Sequence, residues 1–507
     1  MKKMNKLLAL VLAMVMVLGL AASAFADGET YSITINNSAT GHTYEAYQIF
    51  TGDLSEGVLS NIVWGSGISE DGQTALGGAA AKAETLKTEA DAKAFAKAVA
   101  PYLTTAAASA NTVTDGKYVI SGLAAGYYLV KDQNGSLTGD NDAYTSYILK
   151  VVGNVEVAPK SAKPTVDKQV HDETTDAEAG ATDGWGESAD HAINESFQFK
   201  LIAKLTADTD YASYSKYKIV FTDTMSAGVT FESIASVTVD GITLDSTHYN
   251  CTATAGQAGG SWTLTIDDIK AINGVNLTDG ADIVVIYNAH LNEMAQINHA
   301  SGTTTNENKV GLEYSNNPNV GGEEEMGKTP EDSVWVFTYE VDNTKVDATD
   351  PEKKTPLAGA GFRLYDSTGN TEIGLIYDTT LSAYRPIKSG ETAEEMTSAD
   401  STGVFNIKGL DAGTYVLKET TVPAGYNKCA DVTVVIKATH VEATDGASAT
   451  TTLSSDSNVT NTIENKQGST LPETGGIGTT IFYVLGGMLV VCAVVLMVSK
   501  KRMSAEG

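Results

Sequence analysis

Short runs in which apolar and polar side chains alternate recur along most of the chain. Tyr31–Ile35, Phe197–Leu205 and Ile283–Leu291 all follow this period of two, which is the pattern of a strand with one buried face. Glycine, asparagine and aspartate stand between most of the runs, as expected for turns. Many short strands separated by polar turns are typical of β-sandwiches, so the pattern predicts an all-β fold.

The spacing of these runs predicts three folded units between the two chain ends, consistent with about 150 residues per domain. We place them at residues 27–160, 161–330 and 331–467. The first unit also contains a stretch with helical spacing, Ala79–Leu103, which predicts one inserted helix. The predicted strands are 31–35, 44–52, 116–120, 126–131, 144–152, 197–205, 217–222, 236–239, 261–266, 283–291, 309–314, 334–346, 360–366, 403–407, 413–419 and 431–437.

Residues 1–26 have the three parts of a secretory signal peptide. Three lysines precede the uncharged run Leu7–Leu20, and Ala24 and Ala26 supply the small residues of a cleavage site after Ala26. The alternative is an N-terminal membrane anchor, but the run is shorter than the span of about 20 residues that a bilayer requires. The pattern therefore predicts export.

The C-terminal 40 or so residues, 468–507, combine a short motif with a membrane span. The uncharged run Ile477–Val498 is long enough to cross a bilayer, and Lys500–Arg502 would hold the end in the cytoplasm. This arrangement resembles the LPxTG cell-wall sorting signal of Gram-positive surface proteins. The resemblance implies cleavage by a sortase between Thr474 and Gly475, a precursor held transiently in the membrane, and attachment to peptidoglycan. The motif residues are Leu471, Pro472, Glu473, Thr474 and Gly475.

Charge and composition exclude several classes of function. The chain has 34 basic and 63 acidic residues, a net charge of −29, which argues against nucleic acid as a partner because phosphate binding requires a basic face. Three cysteines and seven histidines leave little material for metal centres, and we predict neither a metal nor a cofactor. An exported protein with so few cysteines does not depend on disulfides.

The stretch Asp172–Asp190 is rich in acidic residues. Calcium ligation is one interpretation, but the ordered spacing of an EF-hand loop is missing. A solvated loop is the favoured interpretation, since runs of like charge are usually hydrated.

Five segments of the third unit form one set of motifs: Thr344–Asp347, Leu357–Leu364, Gly413–Thr420, Val422–Tyr426 and Ile463–Lys466. They resemble the B-type domains of collagen-binding adhesins and the last domain of Gram-positive pilins. In that family a lysine of the first strand and an asparagine of the last join spontaneously in an isopeptide bond, promoted by a glutamate. Carried over to this sequence, the resemblance implies Lys345, Asn465 and Glu419 for these roles.

The chemistry of such a bond requires these residue types. Burial keeps a lysine amine neutral and able to attack, and it keeps a neighbouring carboxylic acid protonated. The acid can then polarise the asparagine amide and transfer protons as ammonia leaves. The alternative is a buried Lys–Glu salt bridge with an asparagine nearby, although such pairs are seldom worth their desolvation.

The second unit resembles the middle, isopeptide-forming domain of fimbrial shaft proteins, in which aspartate replaces the glutamate. The segments Val166–Lys168, Ile219–Met225 and Asn308–Asn316 support the resemblance. It implies a bond between Lys168 and Asn308 promoted by Asp223. Two alternatives remain: Asp167 adjoins the lysine, and Asp223 could simply cap a turn.

The segment Val155–Lys160 resembles the pilin motif, whose lysine is the nucleophile in sortase polymerisation. It departs from the family pattern, with Ala158 before the proline and Ser161 after the lysine. The alternatives are that Lys160 is an ordinary linker lysine, or that Lys163 is the linking residue.

Together the resemblances imply a sortase-assembled pilus shaft subunit, joined head to tail by an amide between Thr474 of one copy and Lys160 of the next. The implied partners are a pilus-type sortase, other copies of the chain and peptidoglycan, with tip and base pilins as further candidates. The main alternative is a wall-anchored monomeric adhesin. An enzyme is not expected, because the common active-site motifs do not occur.

The first unit is predicted to lack an internal bond of this type. Its first lysine, Lys82, falls in the helical stretch, and Lys117 and Lys131 lie on later strands. Residues 27–158 are therefore expected to be the most labile part of the exported protein.

Overall fold

The structure is a computed structural model that describes residues 29–137, 143–159, 163–172, 183–207, 211–212, 214–298, 301–302, 306–318, 326–441, 449–468 and 477–503. The signal peptide, Lys160 and the motif Leu471–Gly475 lie outside these residues, as does part of the acidic stretch. The described chain forms two compact units. The first comprises the chain up to Tyr339 with Gly409–Ala412 and Ala438–Ser454; the second comprises Glu340–Lys408, Gly413–Lys437 and the chain from Ser455.

The N-terminal part of the first unit consists of eight strands and three helices. Alternating residues of the strands are buried, for example Ile33 and Ile35, as the period of two predicts. The elements are β1 Tyr31–Asn36, β2 Tyr44–Ser55, β3 Val58–Trp64, α1 Glu70–Leu76, α2 Ala79–Thr85, α3 Glu89–Val99, β4 Ala108–Ala110, β5 Lys117–Leu123, β6 Gly126–Asp132, β7 Ser146–Val151 and β8 Val155–Val157.

These strands form two sheets with an apolar core. One sheet has the order β5-β1-β8, with β8 parallel to β1 at the edge; the other has the order β3-β2-β6-β7, with β4 also paired to β2. Tyr44, Tyr118 and Tyr128 belong to the core shared by these strands. A second cluster, with Phe50 stacked on Phe95, places α3 against the larger sheet. The predicted mostly β architecture is confirmed here.

The expectation of a single inserted helix is wrong. The predicted stretch is broken after Thr85, because Thr88 caps a new helix: its hydroxyl accepts from the backbone N–H of Asp91, whose carboxylate accepts in return. The segment ends at Pro101 in a single turn of 3₁₀ helix. The preceding helix α1 was not predicted, since glycines at positions 72 and 77 obscure its periodicity.

The middle part of the first unit is built around one twelve-stranded sheet. The strands of this part are β9 Thr165–His171, β10 Trp185–Gly186, β11 Ser188–Asp190, β12 Ser196–Leu205, β13 Ile219–Val239, β14 Ile242–Thr243, β15 Asn250–Cys251, β16 Gln257–Ile266, β17 Ala281–Leu291, β18 Ser301–Gly302, β19 Asn306–Ser315, β20 Met326–Lys328 and β21 Asp332–Phe337. All of them except β18 belong to the sheet, whose main path runs β10-β9-β12-β17-β13-β19-β21-β11, and β14, β15, β16 and β20 pair to the side. β9 also packs against β19 and β21, so the sheet encloses a core.

The long strand β13 merges two predicted strands, 217–222 and 236–239. Its first half pairs with β16 and β19, and after a shift in register between Met225 and Thr230 its second half pairs with β17. Gly228 lies in this bulge, where a Cβ atom would approach Asn306 Oδ1 to 2.5 Å. Only glycine leaves room for that approach. The bulge therefore allows one strand to pair with β16 and β19 in its first half and with β17 in its second half.

The second unit contains two facing sheets and the C-terminal helix. One sheet has the order β23-β22-β29-β27-β26 with β34 beside β22, and the other has the order β25-β24-β30-β31 with β28 beside β24. The elements from here to the C-terminus are β22 Tyr339–Asp347, β23 Thr355–Pro356, β24 Gly361–Tyr365, β25 Glu372–Ile373, β26 Leu375–Asp378, β27 Ala383–Pro386, β28 Met396–Thr397, β29 Ile407–Leu410, β30 Gly413–Thr421, β31 Val432–Ile436, β32 Ala438–Val441, β33 Thr450–Leu453, β34 Thr460–Asn465 and α4 Ile477–Met503.

In this part of the chain, the structure differs from two of the predicted strands. The run 334–346 is two strands, β21 and β22, because buried Thr338 interrupts it and donates its hydroxyl to the Leu410 carbonyl at 3.1 Å. The run 403–407 is mostly irregular: Gly403 has a φ of 68° and its carbonyl accepts from Lys345 N–H, Val404 forms an isolated bridge with Thr344, and only Ile407 belongs to a strand. The predicted membrane span is confirmed: within α4, Phe482–Lys501 is long and apolar enough to cross a bilayer.

The hairpin of β32 and β33 belongs to the first unit, although its sequence lies late in the chain. β33 pairs with β18, and the His440 imidazole contacts the Asp190 carboxylate at 2.9 Å. The same carboxylate accepts from the Tyr339 hydroxyl, which is 2.8 Å from Thr451 Oγ1. The buried Asp190 carboxylate therefore connects its own strand to Tyr339 and to His440, two residues that are far from it in sequence.

Replacing Asp190 with alanine is expected to release this hairpin. Removing one partner of a buried charged network leaves the others unsatisfied and costs about 3 kcal/mol. Amide hydrogen exchange should therefore accelerate by about 100-fold in 438–441 and 450–453. The matched control is Asp245→Ala, whose carboxylate is exposed. Unchanged protection of the hairpin in Asp190→Ala would contradict this role.

Candidate functional site

The first candidate site lies inside the twelve-stranded sheet and contains the three residues expected there. Lys168 comes from β9, Asp223 from the first half of β13 and Asn308 from β19, and all three are fully buried. Asp223 stands opposite Val310, so Asn308 lies two residues further along the neighbouring strand. Lys168 reaches the same place from β9, which packs against β19. The period of two directs all three side chains inward.

A tyrosine hydroxyl joins the members of this site. The Lys168 amine contacts the Asp223 carboxylate directly and lies 3.4 Å from the hydroxyl of Tyr287. That hydroxyl is 3.1 Å from Asp223 Oδ2, and it accepts from Asn308 Nδ2 at 2.5 Å. Asn308 Oδ1 is buried and has no hydrogen-bond partner among the described residues. An unsatisfied buried carbonyl raises the free energy of this arrangement by about 1–3 kcal/mol.

Aromatic rings surround the polar groups and exclude water. The Lys168 amine lies 5.2 Å from the centre of the Phe199 ring, and the Tyr287 ring packs against Phe231 and Trp262. Burial lowers the pKa of the Lys168 amine and raises the pKa of the Asp223 carboxyl, while their mutual attraction opposes both shifts. The dry surroundings therefore favour a neutral amine beside a protonated acid, which are the forms that nucleophilic attack on an amide requires.

The second candidate site lies between the two sheets of the second unit. Lys345 on β22 and Asn465 on β34 belong to adjacent parallel strands, with Asn465 opposite Asp347. Glu419 projects from β30 of the facing sheet, where it is paired with Phe362. Lys345, Asn465 and Glu419 are all at most 1% exposed, so the site is closed to solvent.

The three groups of this second site are in direct contact. Lys345 Nζ is 2.6 Å from Asn465 Oδ1, and Asn465 Nδ2 donates to Glu419 Oε1 at 2.7 Å. Lys345 Nζ also lies 3.3 Å from Glu419 Oε1. The backbone N–H of Cys429 holds the other carboxylate oxygen at 2.8 Å. The amine and the amide are thus positioned side by side, with the acid bridging them.

Asp167, the alternative acid, faces away from the first site. It is half-buried, and its pKa is raised by burial and by the nearby Asp332. Successive side chains of a strand point to opposite faces, so Asp167 cannot share the interior with Lys168. Asp223 likewise does not act as a turn cap, since it lies within β13.

The sequence reasoning missed Tyr287. It lies on the predicted strand 283–291, where alternation indicated an inward-facing residue but not a partner for the lysine. Nothing in the local sequence distinguishes it from the other buried tyrosines of the core.

In the N-terminal part, Lys131 lies on β6, a later strand as expected, and it is buried. Its amine lies 3.7 Å from Glu45 and 3.4 Å from Asn134 Oδ1. Asn134 is exposed and only three residues away, so this group differs from the two closed sites. Lys117 pairs with Glu156 at the surface. The absence of an internal bond in 27–158 stays a prediction.

Comparisons with known proteins agree with these features. The model of the prealbumin-like fold domain SpaA matches residues 342–448, and that of the LPXTG cell wall anchor motif matches residues 463–504. The trypsin-resistant surface T6 protein of Streptococcus pyogenes serotype M6 is 25% identical over 462 residues, covering 77% of each chain.

A solved structure of a backbone pilin shows the same fold. The T6 backbone pilin of serotype M6 Streptococcus pyogenes, described as modular with three domains, matches with a TM-score of 0.52 and 17% identity over 88% of this chain and all of that one. The full-length major pilin SpaD of Corynebacterium diphtheriae matches with a TM-score of 0.49 and 17% identity, over 88% of this chain and 99% of that one.

By these comparisons the chain carries an LPXTG cell wall anchor motif, is similar to a streptococcal surface protein over 77% of its length, and has the fold of a backbone pilin. The anchor motif and the apolar helix α4 indicate a cell-wall-anchored surface protein whose precursor is held transiently in the membrane.

The geometry predicts which acid serves the first site. Asp223→Ala should prevent the amide expected between Lys168 and Asn308, because it removes the carboxyl group that contacts the amine and would accept its proton. Asp167→Ala is the matched control and should leave the amide intact. Peptide mapping by mass spectrometry distinguishes the two. Either a crosslinked peptide in Asp223→Ala or the loss of that peptide in Asp167→Ala would show that Asp223 is not the acid of the first site.

Proposed function

We propose that this chain is a structural subunit of a sortase-assembled pilus, stiffened by two autocatalytic isopeptide bonds, Lys168–Asn308 and Lys345–Asn465, and polymerised through Lys160 and Thr474. The three-domain division at 27–160, 161–330 and 331–467 is part of the proposal. The observation that carries it is the second site, where amine, amide and carboxyl form one closed, water-free contact set.

The arrangement of Lys345, Asn465 and Glu419 favours a covalent bond over a structural ion pair. An ion pair would need only the lysine and the glutamate, and its desolvation commonly offsets its attraction. Here the amine has its shortest contact with the amide oxygen, at 2.6 Å, and the glutamate contacts the amide nitrogen that would leave. Attack by Nζ on the amide carbon forms a new C–N bond and releases ammonia, and Glu419 transfers the proton between the two nitrogens.

Each proposed bond would connect strands near the two ends of its segment. Force applied along the pilus enters such a segment by its first strand and leaves by its last. A covalent bond between β22 and β34, or between β9 and β19, carries that load without breaking backbone hydrogen bonds. By analogy with disulfides, closing loops of this length could also stabilise the fold by about 5 kcal/mol.

Polymerisation through Lys160 is supported by the strand that leads to it. β8 ends at Val157 and is an edge strand of its sheet, so the chain leaves the fold at an accessible border. Lys160 follows three residues later. Head-to-tail linkage of an exposed lysine to the C-terminus of another copy is a heterologous contact, which generates an open filament. Tip and base pilins are candidate additional partners of such a filament.

The two internal bonds predict a defined mass. The exported segment 27–467 should be lighter than its sequence by two ammonia molecules, and Glu419→Ala should lose only one while remaining folded. Intact-mass measurement with peptide mapping checks this, and Glu372→Ala, on an exposed ion pair of the same unit, is the control. An unaltered mass in the wild type would refute both bonds.

The polymer linkage predicts a ladder of bands from cell-surface extracts on a denaturing gel. Lys160→Ala should abolish the ladder while monomers remain attached to the wall, because the sorting signal is unaffected. Thr474→Ala should abolish both the ladder and the attachment of monomers to the wall. Lys163→Ala is the matched control; persistence of the ladder in Lys160→Ala and its loss in Lys163→Ala would move the linkage to Lys163. Single bands from wild-type cells would instead favour the monomeric adhesin.

A further inference from the structure

The first site contains a fourth polar group, a tyrosine hydroxyl. Tyr287 lies on β17, is fully buried, and directs its hydroxyl to the centre of the site. Its polar neighbours are the three proposed reacting groups: the Lys168 amine at 3.4 Å, the Asp223 carboxylate at 3.1 and 3.2 Å, and Asn308 Nδ2 at 2.5 Å.

The two sites differ in how the acid reaches the amide nitrogen. In the second site, Glu419 Oε1 accepts directly from Asn465 Nδ2 at 2.7 Å. In the first site the acid is an aspartate, whose side chain is one methylene shorter, and Asn308 Nδ2 donates to the Tyr287 hydroxyl instead. The hydroxyl in turn contacts Asp223. Aspartate with tyrosine thus spans the distance that glutamate spans alone.

We propose that Tyr287 is a catalytic residue of the first site that relays the proton between Asp223 and the leaving amide nitrogen of Asn308. The inference rests on the proposed Lys168–Asn308 bond. As the neutral Lys168 amine attacks the Asn308 amide carbon, a C–N bond forms and the carbon–Nδ2 bond breaks. Protonated Asp223 gives its proton to Tyr287, and Tyr287 gives its own to Nδ2, which leaves as ammonia. Asp223 regains a proton from Nζ, so the acid and the tyrosine are restored.

Packing alone does not require a hydroxyl at this position. The Tyr287 ring lies against Phe199, Phe231 and Trp262, with centroids 5.3, 5.6 and 5.0 Å away, and a phenylalanine ring would make the same contacts. Burying a hydroxyl among aromatic rings costs free energy unless it is hydrogen-bonded. The hydroxyl is therefore explained by the groups it joins, and those are the reacting groups.

The test compares the rate of bond closure in wild type and Tyr287→Phe. The full chain is made by cell-free translation with detergent for α4, and the release of ammonia at each site is followed by mass spectrometry with peptide mapping. Loss of a general acid–base group predicts closure of Lys168–Asn308 slower by about 100-fold. Lys345–Asn465 in the same molecule should close at the wild-type rate. Tyr217→Phe, a buried tyrosine outside the site, is the matched control.

Changing the acid of the first site distinguishes a proton relay by Tyr287 from a role of Tyr287 in packing. In an Asp223→Glu background the longer acid can reach Asn308 directly, so Tyr287→Phe should then slow closure by less than about 10-fold. An equal slowing in both backgrounds, or closure of Tyr287→Phe at the wild-type rate, would overturn the relay. A wild-type chain without the Lys168–Asn308 bond would instead refute the proposed function.

The relay stays testable if Tyr287→Phe does not fold. A fluorinated tyrosine at position 287 keeps the hydroxyl and nearly the same shape but is more acidic. The relay predicts that the closure rate and its pH dependence both change at the first site and stay constant at the second. An unchanged rate and pH profile at both sites would overturn the relay.

Discussion

The interaction on which this structure depends is the burial of a lysine amine beside a carboxyl group and an asparagine amide, once in each compact unit. A lone buried charge would be prohibitively costly, and even a paired one recovers little after desolvation. Each lysine is therefore held in the core by its polar partners, and the aromatic rings beside Lys168 and Lys345 help to keep water out. The same burial that makes an ion pair costly lowers the pKa of the Lys168 amine, which favours its neutral form.

The two sites reach similar chemistry from different backbones. In the second unit, Lys345 and Asn465 come from adjacent parallel strands and Glu419 from the facing sheet. In the first, the residues come from β9, β13 and β19, and the bulge at Gly228 lets β13 serve both layers of the core. The shared requirement is a closed, dry interior where three strands meet, and the choice of acid follows from how far that acid must reach.

The segment between Asn308 and Lys345 belongs to neither proposed crosslinked loop, so tension in a filament would act on its hydrogen bonds. Most of the described part of this segment is paired in β19 and β21, and Tyr339 at its end is hydrogen-bonded to Asp190. His440, on a hairpin from within the second proposed loop, bonds to the same carboxylate. A buried polar network is specific because each member would be unsatisfied without the others. The buried hydrogen bonds of Asp190 thus stabilise the segment between Asn308 and Lys345, which neither proposed isopeptide bond would bypass.

The sequence by itself determined the all-β class, most strands and the anchor, because alternation and short motifs are local properties. The motifs also pointed to the six residues that meet at the two candidate sites, namely Lys168, Asp223, Asn308, Lys345, Glu419 and Asn465. It did not determine the helix break at Thr88, which depends on a capping bond, or the division of the run 334–346, which depends on the buried contact of Thr338. Only the tertiary structure placed Asp167 outside the first site and Tyr287 within it. Both outcomes depend on which strands meet across the core, and that proximity between distant segments leaves no periodic signal along the chain.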